Sequence, residues 1–112
     1  MIMQQIRQRL SIIEMELRSE LAALAPEWQA LLLSDVIEQM ASHDMCHHAL
    51  YSKLVRLDAA LCQLDIGLYG LCSDCEADIE AERLSADPTE QRCHHCDDQY
   101  NLQHRQELRL SH

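Results

Sequence analysis

A chain of 112 residues, 47% hydrophobic and 25% charged, has room for one modest core: one domain, or a small domain with an extension. Nine Lys and Arg against 19 Asp and Glu leave a formal charge of −10, which repels phosphate backbones and anionic lipid and argues against a basic nucleic-acid binder. No stretch reaches the roughly 18 apolar residues of a bilayer span, and residues 1–10 carry Gln and Arg where a secretory leader is apolar, so a cytoplasmic protein is expected, with no membrane partner.

The first predicted element runs from Met3 to Leu24. Its apolar residues Met3, Ile6, Leu10, Ile13, Leu17, Leu21 and Leu24 step by three or four, a stripe down one helix face, with charges such as Arg7, Arg9, Glu16 and Arg18 between them. A turn is expected near 25–35. Within it Pro26 suits a first helical turn, and Ser34 followed by Asp35 reads as an N-cap with an acid in the first turn.

A second stripe continues through Trp28, Leu32, Val36, Met40, His43, His47, Leu50, Leu54, Leu57, Leu61, Leu64 and Leu68, and predicts one long helix that ends at Gly67. Two helices with matching stripes and a short connection are expected to lie antiparallel, as a coiled-coil hairpin over 1–66; a plain helical bundle is the alternative. The cluster His43, Cys46, His47, His48 interrupts the aliphatic stripe. His43 and His47 share a face and, with Cys46, have the chemistry to ligate a metal, but polar layers that fix the register of the coiled coil are the plainer reading. Cys62, between Leu61 and Leu64, reads as a small packing residue. Trp28 near the turn caps the hairpin core or anchors a partner.

Residues 67–112 differ in kind, with ten acids, four arginines and few aliphatic runs. A segment this small needs a staple. Cys72 and Cys75 form one C-x-x-C and Cys93 and Cys96 another, with 17 residues between them, the spacing of a four-thiolate zinc site. Four thiolates close the tetrahedron, leave no position for water or substrate, and make the ion structural. Iron, an iron–sulfur cluster and a redox dithiol are the competing readings, the last without the βαβ pattern that usually accompanies it. His94, His95 and His104 read as surface groups. A short C-terminal helix is expected over about 97–110.

The residues around the cysteines carry a resemblance. Cys72, Ser73, Asp74 and Cys75, then Ile79, Arg83, Pro88, Cys93 and Cys96, reproduce the pattern C-[DES]-x-C-x3-I-x3-R-x4-P-x4-C-x2-C, so the chain resembles the DksA/TraR family of C4 zinc-finger proteins. Tyr69-Gly70-Leu71 is similar to the family's aromatic-Gly-x lead-in. The overall expectation is a mostly α protein: an antiparallel helical hairpin joined to a small C4 zinc finger and a C-terminal helix. Ile79 would plug the core beneath one structural zinc, Arg83 would hold a carbonyl or carboxylate, and Pro88 would fix the returning turn. Glu76 stands where many relatives carry Gly, and would be strained if φ there is positive.

The resemblance also implies function: direct binding to RNA polymerase, without a promoter sequence of its own, through a coiled-coil tip in the secondary channel, modulating initiation, often with ppGpp. No enzymatic activity is expected. The family's tip string D-x-x-D-x-A is missing; its nearest equivalent is Asp35-x-x-Glu38-x-Met40, whereas an ungapped count back from Cys72 puts Gln29, Leu32 and Ser34 there. Lys53, Arg56, Arg105 and Arg109 are the candidates, by charge, for ppGpp. A zinc-stabilised adaptor that has lost the acidic tip is the alternative function.

Overall fold

The computed structural model describes the backbone of residues 3–110 and the side chains of 3–102. It is mostly helical: α1 (Met3–Leu24), a single 3-10 turn (Pro26–Trp28), α2 (Leu33–Ser42), α3 (Ala49–Ile66), α4 (Ala81–Ala86) and α5 (His94–Leu110). Among the described residues the only β pairing is an isolated antiparallel bridge, Leu71 to Asp78.

The two long helices, α1 and α3, pack against each other. They run antiparallel: Arg7 near the start of α1 reaches Asp65 near the end of α3 at 3.1 Å. Their stripes build the main core from Ile6, Leu10, Leu17 and Leu21 on α1 and Leu50, Leu54, Leu57, Ala60 and Leu64 on α3. Leu10, Leu21, Leu54 and Leu57 are fully buried, each contributing about 2–3 kcal/mol relative to exposure. The ion pair between Arg7 and Asp65 is largely solvated and adds little by comparison.

The second stripe is two helices, not one. Helix α2 ends at Ser42 in a Schellman motif: the Met45 N–H donates to Met40 C=O at 2.8 Å, the Asp44 N–H donates to Ala41 C=O at 3.2 Å, and Asp44 takes the left-handed conformation at φ 58°. The chain restarts at α3, where the His48 imidazole accepts the Leu50 N–H at 3.1 Å and caps the new helix. The same C-terminal device closes α3, with Gly67 at φ 79° and the Leu68 N–H donating to Gln63 C=O at 2.8 Å. The stripe misled because the six-residue link 43–48 preserves the three-four count by number while its residues leave the helix.

Consequently the partner of α1 is α3, and the connection between them, residues 25–48, carries an extra helix. Helix α2 packs on α3 through Leu33, Val36 and Met40. It begins with Leu32 as N-cap, not Ser34, so Leu33 is buried where Leu32 was expected to be; Leu32 is 71% exposed. Arg18 holds the returning chain: its guanidinium bonds Glu14 at 2.8 Å, Gln29 C=O at 2.9 Å and Leu31 C=O at 3.1 Å, satisfying two loop carbonyls. His43, Cys46, His47 and His48 are all exposed, so they form no polar layer inside a coiled coil. Cys62 is exposed as well and is not a packing residue.

Asp44 offers a direct check of the helix break. Asp44→Gly is expected to stabilise the fold by about 0.5–1 kcal/mol, because glycine occupies the left-handed region without penalty, and Asp44→Ala to be the less stable of the two. Urea unfolding of both variants measures it. A continuous helix would reverse the order, since Gly in a helix interior costs about 1 kcal/mol relative to Ala.

Candidate metal centre

Two backbone turns bring the four cysteines together. In the first, the Cys72 N–H donates to Ala77 C=O at 2.8 Å and the Glu76 N–H to Cys72 C=O at 3.0 Å, curling Cys72–Cys75 into a knuckle closed below by Ile79 N–H to Gly70 C=O at 2.8 Å. Glu76 sits in the left-handed region at φ 63°, the strained geometry for which Gly is the ordinary choice. The second pair opens α5, where the Asp97 N–H donates back to Cys93 C=O at 2.9 Å. Ser73 N–H to Gln91 C=O at 2.8 Å and the Arg92–Asp74 ion pair at 2.8 Å stitch one knuckle to the other.

The sulfurs of Cys72, Cys75, Cys93 and Cys96 lie within 4.8 Å of one another, the only such cluster among the described residues. Metal–sulfur bonds of about 2.3 Å give a tetrahedron with edges of about 3.8 Å; Cys75 Sγ and Cys93 Sγ are 3.7 Å apart. Electrostatics favour a dication in the middle. Burial pushes the Cys72 thiol up, but backbone N–H groups of Cys93, Cys75 and Asp74 outweigh that and hold it at about 6. Contact with Cys75 and Cys93 drives the Cys96 thiol far above the usual range. Sulfurs this close cannot all ionise without a central positive charge. The donor set therefore fits one structural zinc, with all four positions taken by protein and none left for catalysis.

This geometry and sequence place the segment. Residues 67–100 match the family model of the prokaryotic dksA/traR C4-type zinc finger. No curated protein and no solved structure matches the chain.

Within the dksA/traR-type finger, Ile79 is buried against Cys72 and Cys93, with Leu84 and Cys96 packed beside them. Arg83 is the hub of a polar network: it bonds Arg92 C=O at 3.2 Å and meets Asp97 at 3.3 Å and Glu90 at 3.4 Å. Pro88 is buried, and its carbonyl accepts the Tyr69 hydroxyl at 2.8 Å. Helix α5 starts at His94, earlier than its weak stripe indicated, and Glu80 caps it from a distance: its carboxylate accepts the His94 N–H at 2.7 Å, and that bond holds the Glu80 carboxyl below its ordinary range. His94 pairs with Asp98 at 3.2 Å, and neither it nor His95 belongs to the metal-ligating cluster; the side chain of His104 lies outside the described residues.

The seam between finger and helical pair rests on residues that periodicity does not reveal. Arg9 of α1 donates to Ser85 C=O at 2.7 Å and Leu84 C=O at 3.5 Å, capping the end of α4. Arg56 of α3 pairs with Asp87 at 2.7 Å and Glu90 at 3.7 Å, and Gln63 bonds Gln91 at 2.9 Å. Asp87 also accepts the Thr89 N–H at 3.0 Å and hydroxyl at 2.7 Å. Here the sequence did hold a signal: Asp-Pro-Thr spells an Asx turn. The tip candidates lie elsewhere. Asp35 and Glu38 are exposed, three residues apart on α2; Trp28 is partly buried against the core with its ring 5.3 Å from that of His43. None belongs to the four-cysteine cluster. Lys53 is exposed on α3, Arg56 is committed to the seam, and the side chains of Arg105 and Arg109 lie outside the described residues.

Cys75→Ser or Cys96→Ser is expected to reduce the zinc content from one ion per chain and melt the finger while α1–α3 keep their helical signal, because such a site supplies folding energy directly. Elemental analysis and circular dichroism read both; full zinc content with an unchanged melting transition contradicts the assignment. The seam has its own pH signature. Burial raises the Asp87 carboxyl, but the Thr89 bonds and Arg56 outweigh it and hold it below the ordinary value. Its folded-state pKa being the lower one, its stabilisation is complete above about pH 4–5 and is lost as pH falls through the folded value. The stability gap between the native chain and Asp87→Asn is therefore expected to be constant from pH 7 to 5 and to narrow below about pH 4, by urea unfolding at each pH.

Proposed function

We propose that this protein is a bacterial transcription regulator that binds RNA polymerase directly and modulates initiation, with the helical part, residues 1–66, reaching into the secondary channel and the zinc finger, 67–112, serving as its stiff base. The observation that carries the reading is the dksA/traR-type finger at 67–100 joined to an antiparallel helical pair. A charge of −10 suits a basic channel lined with nucleic acid and disfavours direct, sequence-specific DNA binding. On this reading Asp35 and Glu38, exposed on α2 in the connection between α1 and α3, act electrostatically on the catalytic region, and Trp28 braces that end against the core. The nucleotide ppGpp is a co-effector, with Lys53, exposed on α3, among its candidates. The protein is cytoplasmic and performs no catalysis of its own; no described helix is long and apolar enough to cross a membrane.

One observation favours a second reading. The acids sit on a ten-residue helix of their own, not at the apex of a continuous coiled coil, which makes this end blunt and suits a zinc-stabilised adaptor for a different protein.

The two separate by pull-down of RNA polymerase with the zinc-loaded protein, in competition with a factor that occupies the secondary channel. Competition is expected; its absence, with zinc and fold intact, leaves the adaptor. Asp35→Asn with Glu38→Gln is expected to leave melting and polymerase binding nearly unchanged and to reduce the transcriptional effect several-fold in vitro. An undiminished effect removes these two acids from the tip.

A further inference from the structure

Where the start of α1 meets the finger, an open groove of about 390 Å³ remains. That volume falls in the range of ligand sites, and here the lining is mostly apolar. Met3 and Ile6 of α1 form one wall; Tyr69, Ile79 and Leu84 form the other. Asp78 is the one charged residue in the lining among the described residues.

The walls are preorganised. Ile6 and Ile79 are anchored in the two cores, and Tyr69 is pinned by its hydroxyl on Pro88 C=O at 2.8 Å. Met3, 51% exposed, is an adaptable lip. Ile66 and Leu68, the chain neighbours of the lining residue Gly67, are exposed apolar residues as well.

Charge identifies the occupant. Asp78 is exposed and meets no cation among the described residues. Of the arginines on this part of α1, Arg7 is neutralised by Asp65, whereas Arg9 bonds only the carbonyls of Ser85 and Leu84 and keeps its charge. Glu82, beside the lining residue Ala81, adds a further exposed carboxylate. Two exposed carboxylates, Asp78 and Glu82, against the single uncompensated Arg9 leave the mouth net negative, and a second copy of a chain of charge −10 is repelled from it. We propose that this groove docks a cationic, aliphatic segment of a partner protein, one apolar side chain entering between Met3 and Leu84 while an adjacent Lys or Arg reaches Asp78. The proposal is independent of the polymerase reading, since the groove lies at the finger and not at α2.

The test uses the isotope-labelled, zinc-loaded full chain and three octapeptides: alternating Lys and Leu, alternating Glu and Leu, and alternating Lys and Ser. The Lys/Leu peptide is expected to shift the amides of Tyr69, Gly70, Ile79 and Leu84, and the other two to bind at least tenfold more weakly. Asp78→Lys is expected to weaken the Lys/Leu peptide at least tenfold with zinc content unchanged. Met3→Ser, at the exposed lip and outside the cysteine cluster, is expected to weaken it severalfold, and keeps the test decisive if the first variant loses its fold. The proposal is overturned if no peptide moves these amides at millimolar concentration, if the Lys/Ser peptide binds equally well, or if the same amides shift with protein concentration alone, which would seat a second copy there.

Discussion

Convergence of four sulfurs on one point is the constraint from which the C-terminal part of this protein takes its shape. The segment holds few aliphatic residues, and its own core amounts to Cys72, Ile79 and Cys93 with Leu84 and Cys96 beside them. So small a cluster cannot offset the chain entropy of ordering the segment. A dication bound by four thiolates can, because the crowding that keeps some sulfurs protonated becomes an attraction once the charge sits between them. With both knuckles fixed, Glu80 stands where it caps α5, and Arg83 where it gathers Arg92 C=O, Asp97 and Glu90. The polar network follows from the convergence of the two knuckles.

The same geometry sets the finger against the helices. Residues 87–91 return from α4 to the second knuckle and on the way present Asp87, Glu90 and Gln91 to Arg56 and Gln63 of α3, while α1 sends Arg9 to the last carbonyls of α4. These are directional contacts across half-exposed surface, worth less individually than one buried leucine of the main core. Their value is positional: they define an angle between finger and helices that apolar burial alone would leave loose. Asp87 is the pivot, since one carboxylate serves both the turn and the seam.

At the other end the decisive feature is the Schellman turn at Asp44. By ending α2 after ten residues it replaces the apex of a long hairpin with a short third helix, and sends His43, Cys46, His47 and His48 outward. Any partner reached by this end meets the exposed face of α2, with Asp35 and Glu38, and not the rounded tip of a coiled coil. The apolar groove at Tyr69 and Leu84 belongs to the finger end, so the molecule presents different chemistry at its two ends.

Features that depend on local spacing can be read from the residues alone. The cysteine pairs, the stripe of α1, the stripe of α3 from Leu50 to Leu64 and the stop at Gly67 were all legible, because helix periodicity and metal-ligand spacing are properties of neighbouring residues. The left-handed backbone at Glu76 was legible only through the resemblance, since many relatives carry Gly there. The break of residues 28–68 at 43–48 emerges only from the packed chain, because Asp44 is an uncommon left-handed helix terminator and a three-four count does not register a link that preserves the numbering. The packing alone decided that Leu33, not Leu32, is buried, since α2 packs on α3 with a rotation its own sequence does not set. It also decided that Arg9, Arg56, Glu80 and Tyr69 are structural contacts. Their partners lie from 14 to 76 residues away along the chain, and long-range pairing of polar groups leaves no period for a single sequence to display.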